Sequence, residues 1–221
     1  MGFDHIDWFD PDIVRLATYC ANAGSTWRDK DTGKLITKIN GKFIPIVRDL
    51  FMQFFPSTVY TVGGSQVEVK PGVGVWKHHL VIKDSELLEQ FEEKGYFLGS
   101  RRRRPNPEII NSPHLFPDYL RVIWEIHGKI LSRDPLVVAI EEKYPQELSK
   151  LKELLLKVDV YTEMRRSNFF YLEMSDRKSI INFFDLFNWK ADWKYGKKNI
   201  EQIKFLLDQQ EIKGNVGAQA S

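Results

Sequence analysis

The sequence predicts an α+β protein in which one pattern is written twice. Three observations carry this reading. The tripeptide "VYT" stands at Val59–Thr61 and returns at Val160–Thr162, 101 residues later. Two apolar helical stretches each end on a glycine, Gly24 and Gly128, which are 104 residues apart. After each glycine the same succession of strand and helix signals follows, so both halves read αββαββα.

The first unit, residues 1–100, opens with a helix over Pro11–Ala23. Pro11 suits the first helical turn and Asp10 can cap it. "STWRDKDTGKLITKINGKF" reads as a β-hairpin turning at "DTG". "FIPIVRDLFMQFF" reads as a helix stopped by Pro56, and "TVYTVGGSQVEVK" and "WKHHLVIK" as two strands. "DSELLEQFEEKGYF" is a helix capped by Asp84 or Ser85 and ended by Gly95. A linker at 101–116, with its basic, proline- and serine-bearing "SRRRRPNPEIINSPH", leads to the second unit, 117–221. There the helix covers Pro117 to His127, and "KILSR" and "LVVAI" form a shorter hairpin around "DP". "YPQELSKLKELLLKV" sets Leu148, Leu151, Leu154 and Leu155 on one helical face. "VYTEMRRS" and "FFYLEM" pair around a turn near Asn168, and "DRKSIINFFDLF" closes the unit as a helix. "YGKKNIEQIKFLLDQQ" adds a basic amphipathic helix, and "KGNVGAQAS" is expected to be disordered.

Composition bounds the function. Apolar and charged fractions of 43% and 28% belong to an ordinary globular protein, and no apolar run approaches a membrane span. Cys20 is the single cysteine, which excludes an internal disulfide framework and fits a reducing compartment. The acidic, aromatic N-terminus resembles neither a signal nor a transit peptide. A soluble intracellular protein is expected, in cytoplasm or organelle matrix. Residues 1–100 hold 11 Lys/Arg and 13 Asp/Glu, and residues 101–221 hold 21 and 17. Fields this small do not announce nucleic-acid binding; local stripes must do so. The segment "FDHIDWFD" has the make-up of a short interaction peptide, but packing across its own first helix is the expected fate.

Two nine-residue stretches, "LATYCANAG" (Leu16–Gly24) and "LRVIWEIHG" (Leu120–Gly128), align without gaps. With the duplicated αββαββα order, they make the chain resemble the single-chain LAGLIDADG homing endonucleases and related intron maturases over residues 8–208. The resemblance implies two pseudo-symmetric units with paired central helices. Their antiparallel sheets would form a saddle over a nucleic-acid duplex, and the protein would be a monomer with internal pseudo-dimer symmetry. It also implies an acid at the eighth motif position of both helices, where carboxylates hold divalent metal for two-metal hydrolysis. Those positions hold Ala23 and His127. Alanine offers no ligand, and imidazole is a poor one for Mg²⁺. Glu125 lies two residues earlier, turned about 200° away on a helix, and Asp12 lies at the other end of its helix. No catalytic residue, metal or cofactor is therefore expected, Mg²⁺ entering only if displaced acids such as Glu125 or Asp12 sustain cleavage. The small residues of the motif are altered as well, to Thr18 and Asn22 and to Val122 and Ile126.

The candidate binding surface begins on the first hairpin. Lys34, Ile36, Lys38, Asn40 and Lys42 alternate with Leu35, Thr37, Ile39 and Gly41, so one strand face is a lysine-and-asparagine ribbon. Arg28 and Lys30 share its sequence parity. By residues alone the ribbon suits a solvated sheet face or a major-groove reader; the resemblance tips it toward nucleic acid. Arg165 and Arg166 suit phosphate contacts at a turn. Arg101, Arg102, Arg103 and Arg104 form a basic tract that is either a phosphate tracker or a solvated linker. Lys197 and Lys198 precede the last helix, facing nucleic acid or keeping that helix soluble. His78 and His79 fall on opposite sheet faces, which argues against a joint metal site. Trp189 and Trp193 suit base stacking or, as i, i+4 residues, the stapling of the last helix.

The expected function is nucleic-acid binding without cleavage, as a maturase-like RNA-binding factor or a DNA-binding one, with RNA favoured. Two alternatives stand beside it: an active metal-dependent endonuclease, and a structural component of a ribonucleoprotein assembly with protein partners.

Overall fold

The computed structural model describes residues 3, 5–58, 60–70, 73–96, 109, 111–143, 145–192 and 194–219. The chain forms two compact units, Met1–Val122 and Ile123–Ser221, whose boundary falls within a helix. Among the described residues no helix is long and apolar enough to cross a membrane.

The first unit runs α1 (Pro11–Ala23), β1 (Gly24–Arg28), β2 (Leu35–Asn40), α2 (Ile44–Phe54), β3 (Tyr60–Lys70), β4 (Val73–Ile82) and α3 (Ser85–Glu93). Its strands make an antiparallel sheet in the order β1-β2-β4-β3. Then come α4 (Phe116–His127), which carries the boundary, β5 (Gly128–Arg133), β6 (Leu136–Glu142), α5 (Pro145–Leu156), β7 (Glu163–Arg166), β8 (Phe170–Met174), α6 (Arg177–Asp185) and α7 (Lys194–Gln219). The second sheet repeats the first, β5-β6-β8-β7. The duplication read from the sequence is therefore a duplication of topology, and the fold is α+β.

The helix starts follow local chemistry. The Asp10 carboxylate accepts the Asp12 N–H at 2.8 Å, Asp84 accepts that of Leu87 at 3.1 Å, and Asp176 accepts that of Ser179 at 2.8 Å. Each cap satisfies an amide with no partner inside the helix. α1 and α4 pass into β1 and β5 without a loop, and that is where the two glycines are needed. A Cβ on Gly24 would lie 2.6 Å from Ile39 Cδ1 and 2.7 Å from the Cys20 carbonyl. On Gly128 it would lie 2.4 Å from both the Trp124 ring and the Trp124 carbonyl.

One face of each sheet makes the core. In the first unit Leu35, Thr37, Ile39, Leu80 and Ile82 are buried beneath α1, α2 and α3. In the second, Leu136, Val138, Ile140, Leu172 and Met174 are buried, with α5 packed on β6 and β8 and α7 on β5 and β6. Trp124 stands edge-on to Phe184 at 4.8 Å and to Phe183 at 5.9 Å, which fastens the end of α4 to α6. Each buried side chain of this size contributes about 1.5–3 kcal/mol. Cys20, 1% exposed, sits inside α1, and burial pushes its thiol pKa up.

The N-terminal segment packs on its own unit, where Trp8 lies against Phe91 at 5.2 Å and Phe55 at 6.0 Å, and the Tyr96 hydroxyl donates to its carbonyl. Two expectations are corrected. The second "VYT" does not enter a strand, because the Tyr161 N–H is taken by Ser179 Oγ at 2.8 Å and β7 starts only at Glu163. The last helix continues to Gln219 where a disordered tail was expected. No proline interrupts it, and Gly214 and Gly217 each cost only about 1 kcal/mol in a helix.

Candidate nucleic-acid interface

Register decides what the first sheet offers to a ligand. Partners across an antiparallel ladder share a face. Lys38 pairs with Ser25 and Val81, Ile36 with Trp27, and Asn40 with His79; along β3, Thr61, Gly63 and Ser65 stand opposite Val81, His79 and Lys77. The face away from the core thus gathers Ser25, Trp27, Lys38, Lys77, His79, Thr61 and Ser65. No acidic residue is among them, and Lys38 and Lys77 form no ion pair with any described residue. Trp27 is 42% exposed there. Hydroxyls, unpaired ammonium groups and an exposed indole on one sheet face are donors and stacking groups fitted to phosphate and base. His78 and His79 stand opposite Gly64 and Gly63, so alternation points them to opposite faces.

The ribbon read from the sequence is therefore real at Lys38 and at the register position of Asn40, but it differs elsewhere. Arg28 pairs with Leu35 and so lies on the core side, where its guanidinium donates to the Gly33 carbonyl and to Glu89, both at 3.0 Å. The reason is the turn. It spans Asp29 to Lys34 rather than "DTG" alone, which puts odd residues of β2 opposite even residues of β1. Lys30 and Lys34 belong to this turn, beside Asp29 and Asp31. Hydrogen bonds from the Thr32 amide and hydroxyl hold the Asp29 carboxyl below its usual range. Lys42 lies beyond the strand, in the short 3-10 turn Gly41–Phe43, over the Phe43 ring at 4.9 Å. Burial lowers its ammonium pKa. Sequence parity missed Lys77, His79 and Trp27 because only the central β2–β4 pairing brings them together.

The equivalent face of the second sheet is chemically different. Lys129 pairs with Ala139, and its Nζ meets Glu141 at 2.5 Å. Arg165 binds Glu173 at 3.0 Å and Glu163 at 3.2 Å. Burial pushes the Glu141 carboxyl up, but hydrogen bonds from Lys129 and Tyr171, with the nearby charges of Lys129 and His127, outweigh it and leave the carboxyl below its usual range. Three carboxylates thus meet two cations, and both cations are engaged. Arg166 pairs with Phe170 on the other face and lies 5.4 Å from its ring. Lys197 and Lys198 are exposed at the start of α7. Trp189 is a staple: it stacks on Phe184 at 4.8 Å, donates to Asp185 at 2.6 Å and lies 5.0 Å beneath Lys204 Nζ. Arg101, Arg102, Arg103, Arg104 and Trp193 lie outside the described residues.

At the motif ends, Ala23 closes α1 with no donor atom on its side chain. His127 Nε2 lies 3.7 Å from Glu142 Oε2. Glu125, 4% exposed, accepts the Asp192 N–H at 2.6 Å, and Gly196 packs against its side chain. A divalent cation would want converging carboxylates, and among the described residues no group of three or more His, Cys, Asp or Glu is placed to hold one.

No family model matches the sequence, and no curated protein matches it. Solved structures do. The homing endonuclease I-WcaI bound to its DNA recognition sequence is 13% identical, with a TM-score of 0.61 over 83% of this chain and 85% of that one. The fold is that of the LAGLIDADG homing endonucleases. I-DmoI in complex with DNA and Mn is 11% identical, with a TM-score of 0.54 over 80% of this chain and 98% of that one. A full-length DUF199/WhiA protein from Thermatoga maritima is 11% identical, with a TM-score of 0.57 over 99% of this chain and 70% of that one. In this LAGLIDADG fold the two sheets have the same topology, and their outer faces carry different charge chemistry.

Proposed function

We propose that the chain binds nucleic acid through the outer face of its first sheet and does not cleave it. The observation that carries the reading is the face around Lys38, Lys77 and His79, where the described residues that the ladder brings together include no acid. Unpaired ammonium groups gain on meeting phosphate by releasing counterions, whereas Lys129 and Arg165 would first have to give up their carboxylates. Ser25, Thr61 and Ser65 supply neutral donors to the backbone, and Trp27 a stacking surface. Loss of cleavage is supported by Ala23 and by the engagement of Glu125 with Asp192 N–H. That engagement also weighs against Glu125 as a displaced catalytic acid.

The sequence alone leans toward RNA, in the manner of a maturase. I-WcaI and I-DmoI are described bound to DNA, so duplex DNA is the first ligand to offer and structured RNA the comparison. Both would be labelled and run with the protein at two salt concentrations, with and without Mg²⁺ or Mn²⁺. Shifted, uncut bands are expected. With two or three phosphates neutralised, log affinity should fall against log salt with a slope of about −2 to −3 on duplex DNA. Lys38→Glu and Lys77→Glu should each abolish the shift, and Arg165→Glu should leave it. Metal-dependent nicking, or equal loss in all three variants, would refute the proposal.

A second reading, a structural component of a ribonucleoprotein, is favoured by one observation. Phe205 and Ile212, seven residues apart on α7, are 60% and 57% exposed and lie on one helical face. A protein partner would cover them, and co-purification in a large particle with no shift on either polymer would select this reading.

A further inference from the structure

A cavity of about 340 Å³ opens in the first unit, away from the outer sheet face. Phe3, Phe54 and Phe55 make its apolar wall, and Asp84, Glu86 and His5 stand among its lining. The wall is fixed from behind. Phe55 is buried and lies 6.2 Å from Phe3, edge to face, and 5.8 Å from Phe91. Among the described residues that line the cavity there is no lysine or arginine.

The polar groups favour one sign of charge. Glu86 is exposed and forms no hydrogen bond or ion pair with a described residue. Asp84 gives one carboxylate oxygen to the Leu87 N–H, which leaves the other for a ligand. The start of α3 would by itself attract an anion, but Asp84 at the cap and Glu86 in the first turn already answer that dipole. An anion brought here would meet two carboxylates. A neutral apolar molecule would leave them unanswered.

We infer that this cavity receives a cation on an apolar stem, a guanidinium or ammonium group whose methylenes lie on the three phenyl rings. Ring faces attract such a cation, the stem covers apolar surface, and a guanidinium can take both oxygens of a carboxylate. A volume of 340 Å³ holds one such group rather than a folded segment. The site is independent of the proposed nucleic-acid face, so either reading can fail without the other.

The test is a titration of the full chain, followed by calorimetry and by amide chemical shifts, with n-butylguanidinium and its neutral isostere n-butylurea. The cation is expected to bind at least about fivefold more tightly than the urea, with shifts centred on Phe54, Phe55 and Glu86. Glu86→Gln should erase that preference, and because Glu86 is exposed and unpaired the variant should fold as the parent does. Phe54→Leu should weaken the cation while leaving the unfolding midpoint near that of the parent. Equal binding of cation and urea would overturn the inference, as would an undiminished preference in Glu86→Gln or no shifts at saturating cation. Agmatine against an arginine-centred peptide then names the source. Tighter binding of the peptide assigns the site to a partner's side chain, and tighter agmatine to a free small cation; both support the chemical class.

Discussion

Glu125 illustrates how a single side chain can be placed on its helix from sequence while its partner stays hidden. Its place two residues before His127 already turns it away from the direction a catalytic acid would need. Nothing local in the sequence connects it with Asp192, 67 residues on, whose amide it accepts at 2.6 Å. Replacing it by alanine would take this acceptor from the part-buried Asp192 N–H at the approach to α7. Glu125→Ala is therefore expected to cost about 1–3 kcal/mol in urea unfolding, with nucleic-acid affinity unchanged. Unchanged stability would mean that water serves the Asp192 amide equally well. Trp189 teaches the same lesson: its spacing fitted either base stacking or a helix staple, and contacts with Phe184 and Asp185 choose the staple.

The elements were largely legible because their ends are written in short-range chemistry. Asp10, Asp84 and Asp176 cap helices within three residues of the amides they accept, and Pro11 and Gly95 mark a start and a stop. Helix-to-strand joints at Gly24 and Gly128 could be placed, but their cause could not, since it lies in the atoms of Ile39 and Trp124. Gly128→Ala would force a methyl into the Trp124 ring, and a clash of this kind typically costs about 1–3 kcal/mol. Thermal unfolding should show that loss, whereas Gly33→Ala, with open space but a left-handed backbone, should show a smaller one. A larger loss at Gly33 would place the strain in the turn instead of the joint. The candidate interface was legible only in part for a related reason. Alternation along one strand gave Lys38, but which residues of β1 and β4 join it depends on the length of the Asp29–Lys34 turn and on β2 lying beside β4. Arg28 went to the wrong face through that turn, and Lys77 and His79 were passed over.

Across the whole molecule, duplication has preserved topology and let chemistry diverge. Strand order is the same in both sheets, yet on one outer face Lys38 and Lys77 form no ion pair with a described residue, and on the other Lys129 and Arg165 are tied to glutamates. A net charge of +2 conceals this division, which is why composition gave so little guidance. Cys20 adds a practical consequence. As the one sulfhydryl in the chain, buried in α1 and reluctant to ionise, it leaves the folded protein silent to disulfide exchange. A thiol installed on either outer face would then be the sole point of capture. An oligonucleotide bearing an activated disulfide should become covalently attached to Ser65→Cys and not to Glu163→Cys, scored as a band that reducing agent dissolves. Capture at both positions would mean that the second sheet also lies along the bound strand. The same silence makes native Cys20 a clock, for its slow alkylation counts only those moments when α1 comes away from its core.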